Sequence, residues 1–189
     1  MSKKRPEMFN KKASKSKYKA DQIMEALALK PGEAVADIGS GGGYFSYRFA
    51  NAVGEHGRVY AVDTNEEFLE FIKKQAREKG LTNIVTMLAA EDHSDMSKNS
   101  LDYVFMRNVC HHLPNRVEYF QRLKESLKPN GKVVIIEYDG RGVFFSFHNR
   151  HRHFVPKNTL LEEMKQAGYS LYRSYDFLSE QSFTIFTQK

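Results

Sequence analysis

The stretch VADIGSGGGYF, from Val35 to Phe45, places four glycines within five positions directly behind a short apolar run. That run holds an acid, Asp37, as its next-to-last residue, and a segment of helical period follows the glycines. Glycine at a strand-to-helix turn removes the Cβ, permits positive φ and lets backbone N–H groups reach a ligand. Because ligands of open α/β sheets bind beyond the carboxyl ends of the strands, the stretch predicts a ligand-binding turn in an α/β fold.

Short β-branched runs and longer segments of helical period alternate along the rest of the chain. This alternation is typical of an α/β fold with a mainly parallel sheet. Strands are predicted at 34–38, 58–63, 83–89, 101–106 and 132–138. Helices are predicted at 21–29, 43–53, 65–79, 114–127 and 159–167. Two final runs, SLYRSYDF and SFTIFT, have strand character, and their short connection predicts an antiparallel hairpin.

Turn and cap residues set the limits of these elements. The Pro-Gly pair at 31–32 should end the first helix, and the Pro-Asn-Gly turn at 129–131 should precede the fifth strand. Asn65 is expected to cap the third helix. Thr159 and Glu162 have the spacing of a capping box, which would open the last helix.

The net charge of +6 is concentrated at the amino end of the chain. Residues 1–19 hold eight Lys or Arg against Glu7, a net charge of +7, which leaves −1 for residues 20–189. Such an arm could contact phosphates or acidic lipid, or it could be a solvated end. Phe9 and Tyr18 could also fold it over a site. We expect a basic, flexible arm at 1–19 and a single domain at 20–189, because 189 residues suit one domain.

The composition predicts a soluble, cytoplasmic protein. Hydrophobic residues make up 41% of the chain, and no apolar run approaches the roughly 20 residues that span a bilayer. The basic first residues lack the apolar segment of a secretory signal. Cys110 is the single cysteine, so an internal disulfide is impossible.

The spacing of two features predicts the class of ligand. A dinucleotide fingerprint begins at Gly39-x-Gly41 but fails at its third glycine position, which is Tyr44. Asp63 ends the second predicted strand, 24 residues after Gly39, where a carboxylate can accept both hydrogen bonds of a ribose diol. Asp63 alone could simply cap the next helix. Together with the glycine turn, it predicts a nucleoside-type cofactor rather than NAD.

Four segments in order resemble the motifs of the class I S-adenosylmethionine-dependent methyltransferases: DIGSGGGYFSYRFA, VYAVDTNEEFLEFIK, LDYVFMRNVCHHL and LKPNGKVVIIEY. The resemblance covers about residues 20–187, and it is similar in particular to small single-domain members with a His-His pair after the fourth strand. It implies a doubly wound, Rossmann-like sheet of seven strands, mainly parallel with an antiparallel last strand. It also implies S-adenosylmethionine as cofactor and S-adenosylhomocysteine as product.

The resemblance also assigns roles to residues at the strand ends. The wall around the methionine part of the cofactor would consist of Asp37, Gly39, Ser40, Gly41 and Gly43. Asp63 would hold the ribose hydroxyls, and Thr64 would flank the adenine. The acid that this family offers to the adenine amino group falls at Ala90, so the neighbouring Glu91 or Asp92 could take that role. Asn108 would lie near the amino acid end of the cofactor and the transferable methyl.

Little dedicated machinery is needed for methyl transfer. The sulfonium methyl is already electrophilic, so the protein mainly has to align an acceptor and, where needed, remove a proton. Histidine can accept a proton near neutral pH, and the catalytic candidates are His111, His112 and His148. Further candidate bases are Tyr138, Asp139, His151 and His153. One of His111 and His112 could instead pack against the following helix while the other is exposed.

A loop insert is predicted at about 139–156. Its HNRHRH segment contains three histidines, but the alternating arginines would repel a cation and no cysteine cluster supports zinc, so no metal is predicted. Recognition of an anionic or polar substrate could use Arg141, Arg150 and Arg152, which could equally form a solvated basic loop. Cys110 is expected to be a buried structural thiol.

The predicted function is methyl transfer to a small-molecule acceptor by a monomer or dimer. Two alternatives remain: an RNA or protein methyltransferase that uses the basic arm, and a non-catalytic nucleoside-binding module. The near-neutral body argues against nucleic acid, and NVCHHL is not the Asn-Pro-Pro-aromatic motif that resembles amino-group methylation of bases. The sequence does not encode the acceptor atom, because the scaffold serves oxygen, nitrogen, sulfur and carbon methylation alike.

Overall fold

The computed structural model describes residues 4–89, 96–141 and 154–189. The chain divides into two compact units, Met1–Ala90 and Glu91–Lys189. Three residues with predicted roles, Glu91, Asp92 and His148, lie outside the described residues, as do the arginines and the other histidines of HNRHRH. No helix in the described ranges is long and apolar enough to cross a membrane.

The strands form one seven-stranded sheet in the order β3-β2-β1-β4-β5-β7-β6. In the first unit, β1, β2 and β3 are parallel; in the second, β4 and β5 are parallel, and β7 runs antiparallel to both β5 and β6. The strand bounds are β1 Ala34–Ile38, β2 Arg58–Asp63, β3 Ile84–Leu88, β4 Leu101–Arg107, β5 Leu127–Tyr138, β6 Tyr169–Tyr175 and β7 Gln181–Gln188. This architecture confirms the predicted fold class, a mainly parallel α/β sheet with an antiparallel last strand.

Among the described residues, four helices belong to the first unit and two to the second. The helix bounds are α1 Lys4–Ala13, α2 Ala20–Leu27, α3 Tyr44–Val53, α4 Glu66–Glu78, α5 Arg116–Leu123 and α6 Lys157–Gln166. Short 3₁₀ turns also occur at Ser16–Tyr18, Cys110–His112 and Lys124–Ser126. Helix α1 therefore lies within the basic arm predicted at 1–19.

Amphipathic helices cover the buried strands of the first unit. Helix α4 buries Phe68, Leu69, Ile72 and Ala76, whose spacing places them on one face. As predicted, Asn65 caps this helix, since its side-chain oxygen accepts hydrogen bonds from the second and third backbone N–H groups that follow it. The cap fixes the direction in which the chain leaves the end of β2.

The core of the second unit is built around β7, which lies between β5 and β6. Residues 181–186 of β7 are all buried, so both faces of this strand are covered. The Tyr169 hydroxyl, at the start of β6, donates to the Phe120 carbonyl of α5 at 2.9 Å. The predicted hairpin of the last two strands is thus confirmed as the antiparallel pair β6 and β7.

Four predicted element limits were wrong. The helix predicted at 114–127 ends at Leu123, and β5 already begins at Leu127. The 129–131 segment lies within β5, where the pairing jumps from Leu101↔Leu127 to Tyr103↔Lys132, a bulge rather than a separate turn. Helix α6 begins at Lys157 behind Pro156 without a side-chain cap, so Thr159 and Glu162 do not form a capping box at its start. Helix α2 ends at Leu27, ahead of the 31–32 pair, because Ala28 adopts a left-handed conformation.

Candidate cofactor site

The glycine loop, residues 39–43, connects β1 to α3 and requires glycine at several positions. Gly39, Gly41 and Gly43 have φ values of 72°, 55° and 81°, which side-chain-bearing residues rarely adopt. A Cβ at Gly43 would also lie 2.7 Å from Cγ1 of Ile72 in α4. The loop therefore packs closely against α4 at Gly43, whereas Gly39 at its start is exposed.

Asp63 lies at the carboxyl end of β2, next to the end of β1, since Ile38 pairs with Val62. Its Oδ2 accepts the Gly41 N–H at 2.8 Å, and its Oδ1 accepts the Asn65 N–H at 3.0 Å. Each ionised carboxylate oxygen has two lone pairs, so both oxygens retain one for a further donor. Asp63 thus fastens the glycine loop and can still accept two hydrogen bonds from a diol.

Asp37, at the end of β1, is 3% exposed and accepts a hydrogen bond from the Ser46 hydroxyl at 2.5 Å. Burial raises the pKa of the Asp37 carboxyl from 3.8 to about 7; the Ser46 hydrogen bond opposes this shift, and the charge of Asp63 adds to it. The predicted methionine-binding acid therefore also anchors α3 to the strand. A cation bound nearby would favour its ionised form.

Several polar atoms in the first unit are buried without a hydrogen-bond partner among the described residues: Asn10 Oδ1, Ser40 Oγ and Tyr47 OH. Buried polar groups in native proteins are normally paired, so unpaired ones need an explanation. Ser40 belongs to the glycine loop, and Tyr47 lies close to Gly43. A polar ligand at the loop would supply donors and acceptors to such atoms. Thr64, the predicted neighbour of adenine, is exposed directly after Asp63.

Helix α1 lies against the glycine loop. Asn10 donates from Nδ2 to the Gly42 carbonyl at 2.7 Å. A Cβ at Gly42 would lie 2.3 Å from the Pro6 carbonyl oxygen, so the helix backbone itself comes close to the loop. Phe9 packs near Gly41 and against the ring of Phe68, with ring centroids 5.6 Å apart. Phe9 was expected as a residue that could fold over a site, whereas Asn10 was missed because nothing local in the sequence marks it.

A polar cluster in the second unit follows β4. Asn108 has a φ of 58° and accepts a hydrogen bond at Oδ1 from Gln181 Nε2 at 2.5 Å. Arg107 donates from Nη2 to Gln181 Oε1 at 3.3 Å. Gln181 is 2% exposed, so this buried amide fixes the side chain of Asn108. Gln181 was missed by the sequence analysis, because it is 73 positions from Asn108 and sits at the start of an apolar strand.

The two adjacent histidines have different environments. The His111 side chain is buried, and its Nδ1 lies 3.0 Å from Oε1 of the fully buried Glu137. The same carboxylate accepts the His111 and Tyr138 backbone N–H groups at 3.4 and 2.9 Å. His112 is exposed, with its ring centroid 4.0 Å from that of His111. Glu137 was also missed, although a charged residue inside the apolar run VVIIEY signals a buried partner.

Other polar residues of this unit are engaged with each other. Cys110 is buried, and burial together with the charge of Glu137 raises the pKa of its thiol, which keeps the sulfur protonated. Arg141, a candidate for substrate recognition, forms an ion pair with Asp139 at 2.7 Å. It also donates to the Gln181 carbonyl at 3.1 Å. Of the further candidate bases, Tyr138 is buried, and the Asp139 side chain is 3% exposed.

Residues 29–175 match a family model described as a methyltransferase domain. The chain belongs to this family. The match confirms the resemblance to the class I S-adenosylmethionine-dependent methyltransferases that the four motifs carry. A crystal structure of an S-adenosylmethionine-dependent methyltransferase from Aquifex aeolicus superposes with a TM-score of 0.84, covers 96% of this chain and 97% of its own, and shares 22% identity. The methyltransferase domain thus has the fold expected from its sequence.

Two curated relatives share part of this domain. Phosphoethanolamine N-methyltransferase 2 of Caenorhabditis elegans is 32% identical over 114 residues, which are 60% of this chain and 25% of the relative. A ubiquinone/menaquinone biosynthesis C-methyltransferase of Shewanella frigidimarina is 26% identical over 116 residues, 61% of this chain and 46% of the relative. The methyltransferase domain therefore spans only a quarter to about half of the length of these relatives.

Proposed function

We propose that this methyltransferase domain transfers a methyl group from S-adenosylmethionine to a small-molecule acceptor. The observation that carries the proposal is the position of Asp63, whose carboxylate lies beside the glycine loop at the ends of two adjacent parallel strands. This arrangement suits a nucleoside, because the carboxylate can accept the ribose hydroxyls while the loop leaves room for the rest of the ligand.

Within the first unit, the cofactor would contact the residues that the family motif assigns. The methionine part would follow the glycine loop, with Ser40 Oγ as a hydrogen-bonding group that lacks a partner among the described residues. Thr64, exposed next to Asp63, would flank the adenine. The adenine amino group would be recognised at Glu91 or Asp92, both outside the described residues.

The charges of the first unit suit the charge of this cofactor. S-Adenosylmethionine carries a sulfonium, an ammonium and a carboxylate group and is a cation overall, and the two acids at the strand ends, Asp37 and Asp63, would offset its excess positive charge. The Asp37 carboxyl has a pKa of about 7 and would bind a cationic group more strongly in its ionised form. S-Adenosylmethionine supplies the electrophilic methyl group, and the protein has to hold an acceptor in line with it.

Proton removal, where the acceptor needs it, would fall to the second unit. Glu137 would hold His111 in the tautomer that carries the proton on Nδ1, which leaves basic character on Nε2. His112 is the more exposed candidate, and His148 lies outside the described residues. Asn108, fixed by Gln181, is proposed to contact the amino acid end of the cofactor.

The proposal of a small-molecule methyl acceptor is based on relatives of the chain and not on the shape of a pocket. One relative is named for N-methylation of phosphoethanolamine and another for C-methylation in quinone biosynthesis, both small molecules. We therefore favour a small acceptor over RNA or protein. A cytoplasmic location and a monomeric or dimeric state, predicted from the sequence, belong to the same proposal.

A methyl-transfer assay tests the proposal directly. The purified chain would be incubated with methyl-labelled S-adenosylmethionine and with phosphoethanolamine or a demethylated quinone, and label in the acceptor would be measured. We expect transfer to one of them and a higher KM for the cofactor in Asp63→Ala than in Glu70→Ala, an exposed matched control on α4. Saturable cofactor binding without transfer to either acceptor would favour a different small acceptor or the nucleoside-binding alternative. The absence of both binding and transfer would refute the proposal.

A further inference from the structure

Within the part of the chain that the structure describes, the side-chain amide of Asn10 in helix α1 forms a hydrogen bond through its NH₂ group but not through its oxygen. Its Nδ2 donates to the Gly42 carbonyl at 2.7 Å, so the orientation of the amide is fixed, because a carbonyl can accept only from the NH₂ side. Its Oδ1 is buried and has no hydrogen-bond partner among the described residues. Such an acceptor is unfavourable in the protein alone and becomes favourable when a ligand provides a donor.

The surroundings of Asn10 hold this acceptor in place at the glycine loop. A Cβ at Gly42 would lie 2.4 Å from Asn10 Oδ1 and 2.3 Å from the Pro6 carbonyl oxygen, so α1 approaches the loop as closely as glycine allows. Phe9 contacts the ring of Phe68 in α4, and Arg5 lies 5.8 Å from the same ring. The neighbouring Lys11 and Lys12 are exposed, so the contact with the loop is made by one face of α1.

We propose that Asn10 is a cofactor-binding residue, in which Nδ2 holds the glycine loop and Oδ1 accepts a hydrogen bond from the ammonium group of the methionine part. The proposal rests on the proposed function, because the glycine loop is where that part of the cofactor is expected. Helix α1 then forms one wall of the cofactor site. The basic arm contributes to the site through this one polar face and not through its lysines.

Calorimetric titration with two ligands tests the role of Asn10. S-Adenosylhomocysteine carries the ammonium group, whereas 5′-methylthioadenosine has the same nucleoside but lacks the amino acid part. We expect Asn10→Ala to weaken S-adenosylhomocysteine binding about ten- to a hundredfold, as the loss of a hydrogen bond to a charged group predicts, and to leave 5′-methylthioadenosine binding unchanged. Lys12→Ala, on the exposed face of α1, should change neither affinity.

A second variant separates binding from packing. Asn10→Asp keeps an acceptor for an ammonium group but loses the donor to Gly42, so it should bind S-adenosylhomocysteine more tightly than Asn10→Ala does. An equal loss for both ligands in Asn10→Ala would overturn the proposal, because Asn10 would then only support the loop. Unchanged affinity for both ligands in Asn10→Ala would overturn it as well. Failure of the unmodified protein to bind either ligand would instead refute the proposed function.

Discussion

Among single residues, the buried carboxyl of Asp37 should make the stability of the protein depend on pH. Its pKa is about 7 in the folded protein, above the ordinary value of 3.8, so the folded state holds its proton more tightly than the unfolded state between these pH values. Stability should therefore fall as the pH rises from about 4 to 7 and level off above that range. Between pH 5 and pH 7 the loss should be about 2 kcal/mol.

Urea unfolding of the native protein and of Asp37→Asn at pH 5, 6, 7 and 8 measures this loss. The amide of the variant does not titrate at this position. As the pH rises to 7, the unfolding free energy of the native protein should therefore fall relative to that of Asp37→Asn. A difference that stays constant over the whole range would show that the carboxyl of Asp37 is ionised throughout.

The two adjacent histidines should differ sharply in their effect on stability. His111→Ala removes the Nδ1 partner of the fully buried Glu137 and should cost about 2 kcal/mol, because a buried carboxyl group loses one of its hydrogen-bond partners. His112→Ala, the matched control at an exposed position, should cost less than about 0.5 kcal/mol. Chemical denaturation of both variants checks this order, and equal losses would contradict the pairing of His111 with Glu137.

At the scale of elements, the glycine loop depends on space as well as on backbone conformation. Gly43 and Gly32 have nearly the same φ, 81° and 87°, but only Gly43 lacks room for a Cβ, since no atom lies within 4 Å of that position at Gly32. Gly32→Ala should therefore cost about 1 to 2 kcal/mol from backbone strain alone. Gly43→Ala should cost about 1 to 3 kcal/mol more, because its methyl group would meet Ile72.

Thermal and urea unfolding of Gly43→Ala and Gly32→Ala measure the two effects. The same pair also tests the site, since only the Gly43 variant should weaken binding of S-adenosylhomocysteine. Equal stabilities for the two variants would mean that the loop can move away from α4 without loss.

Elements with local signals could be predicted from the sequence. The glycine loop, the cap at Asn65 and the order of strands and helices follow from short-range patterns, and the structure confirms them. The wrong limit at 129–131 depends on a contact that is distant in sequence. The 129–131 segment joins β5 because β4 pairs with its start, and no local pattern reveals that pairing.

At the scale of the whole molecule, each of the two units has a polar contact that joins residues far apart in the sequence. Asn10 lies 32 positions from Gly42, and Gln181 lies 73 positions from Asn108, so neither forms a motif in the sequence. Asp63 could be predicted because the parallel arrangement of β1 and β2 places the two strand ends side by side. The cofactor class is therefore readable from the sequence, whereas the additional polar contacts need the fold.

Cofactor binding by this methyltransferase domain is proposed to depend on the glycine loop and Asp63. Calorimetric titration of the native protein, Asp63→Ala and Glu70→Ala with S-adenosylhomocysteine tests it most directly, after unfolding curves have shown that all three are folded. We predict saturable binding to the native protein and to Glu70→Ala, and affinity at least about tenfold lower in Asp63→Ala. Equal affinity in all three proteins, or no binding to the native protein, would contradict the claim.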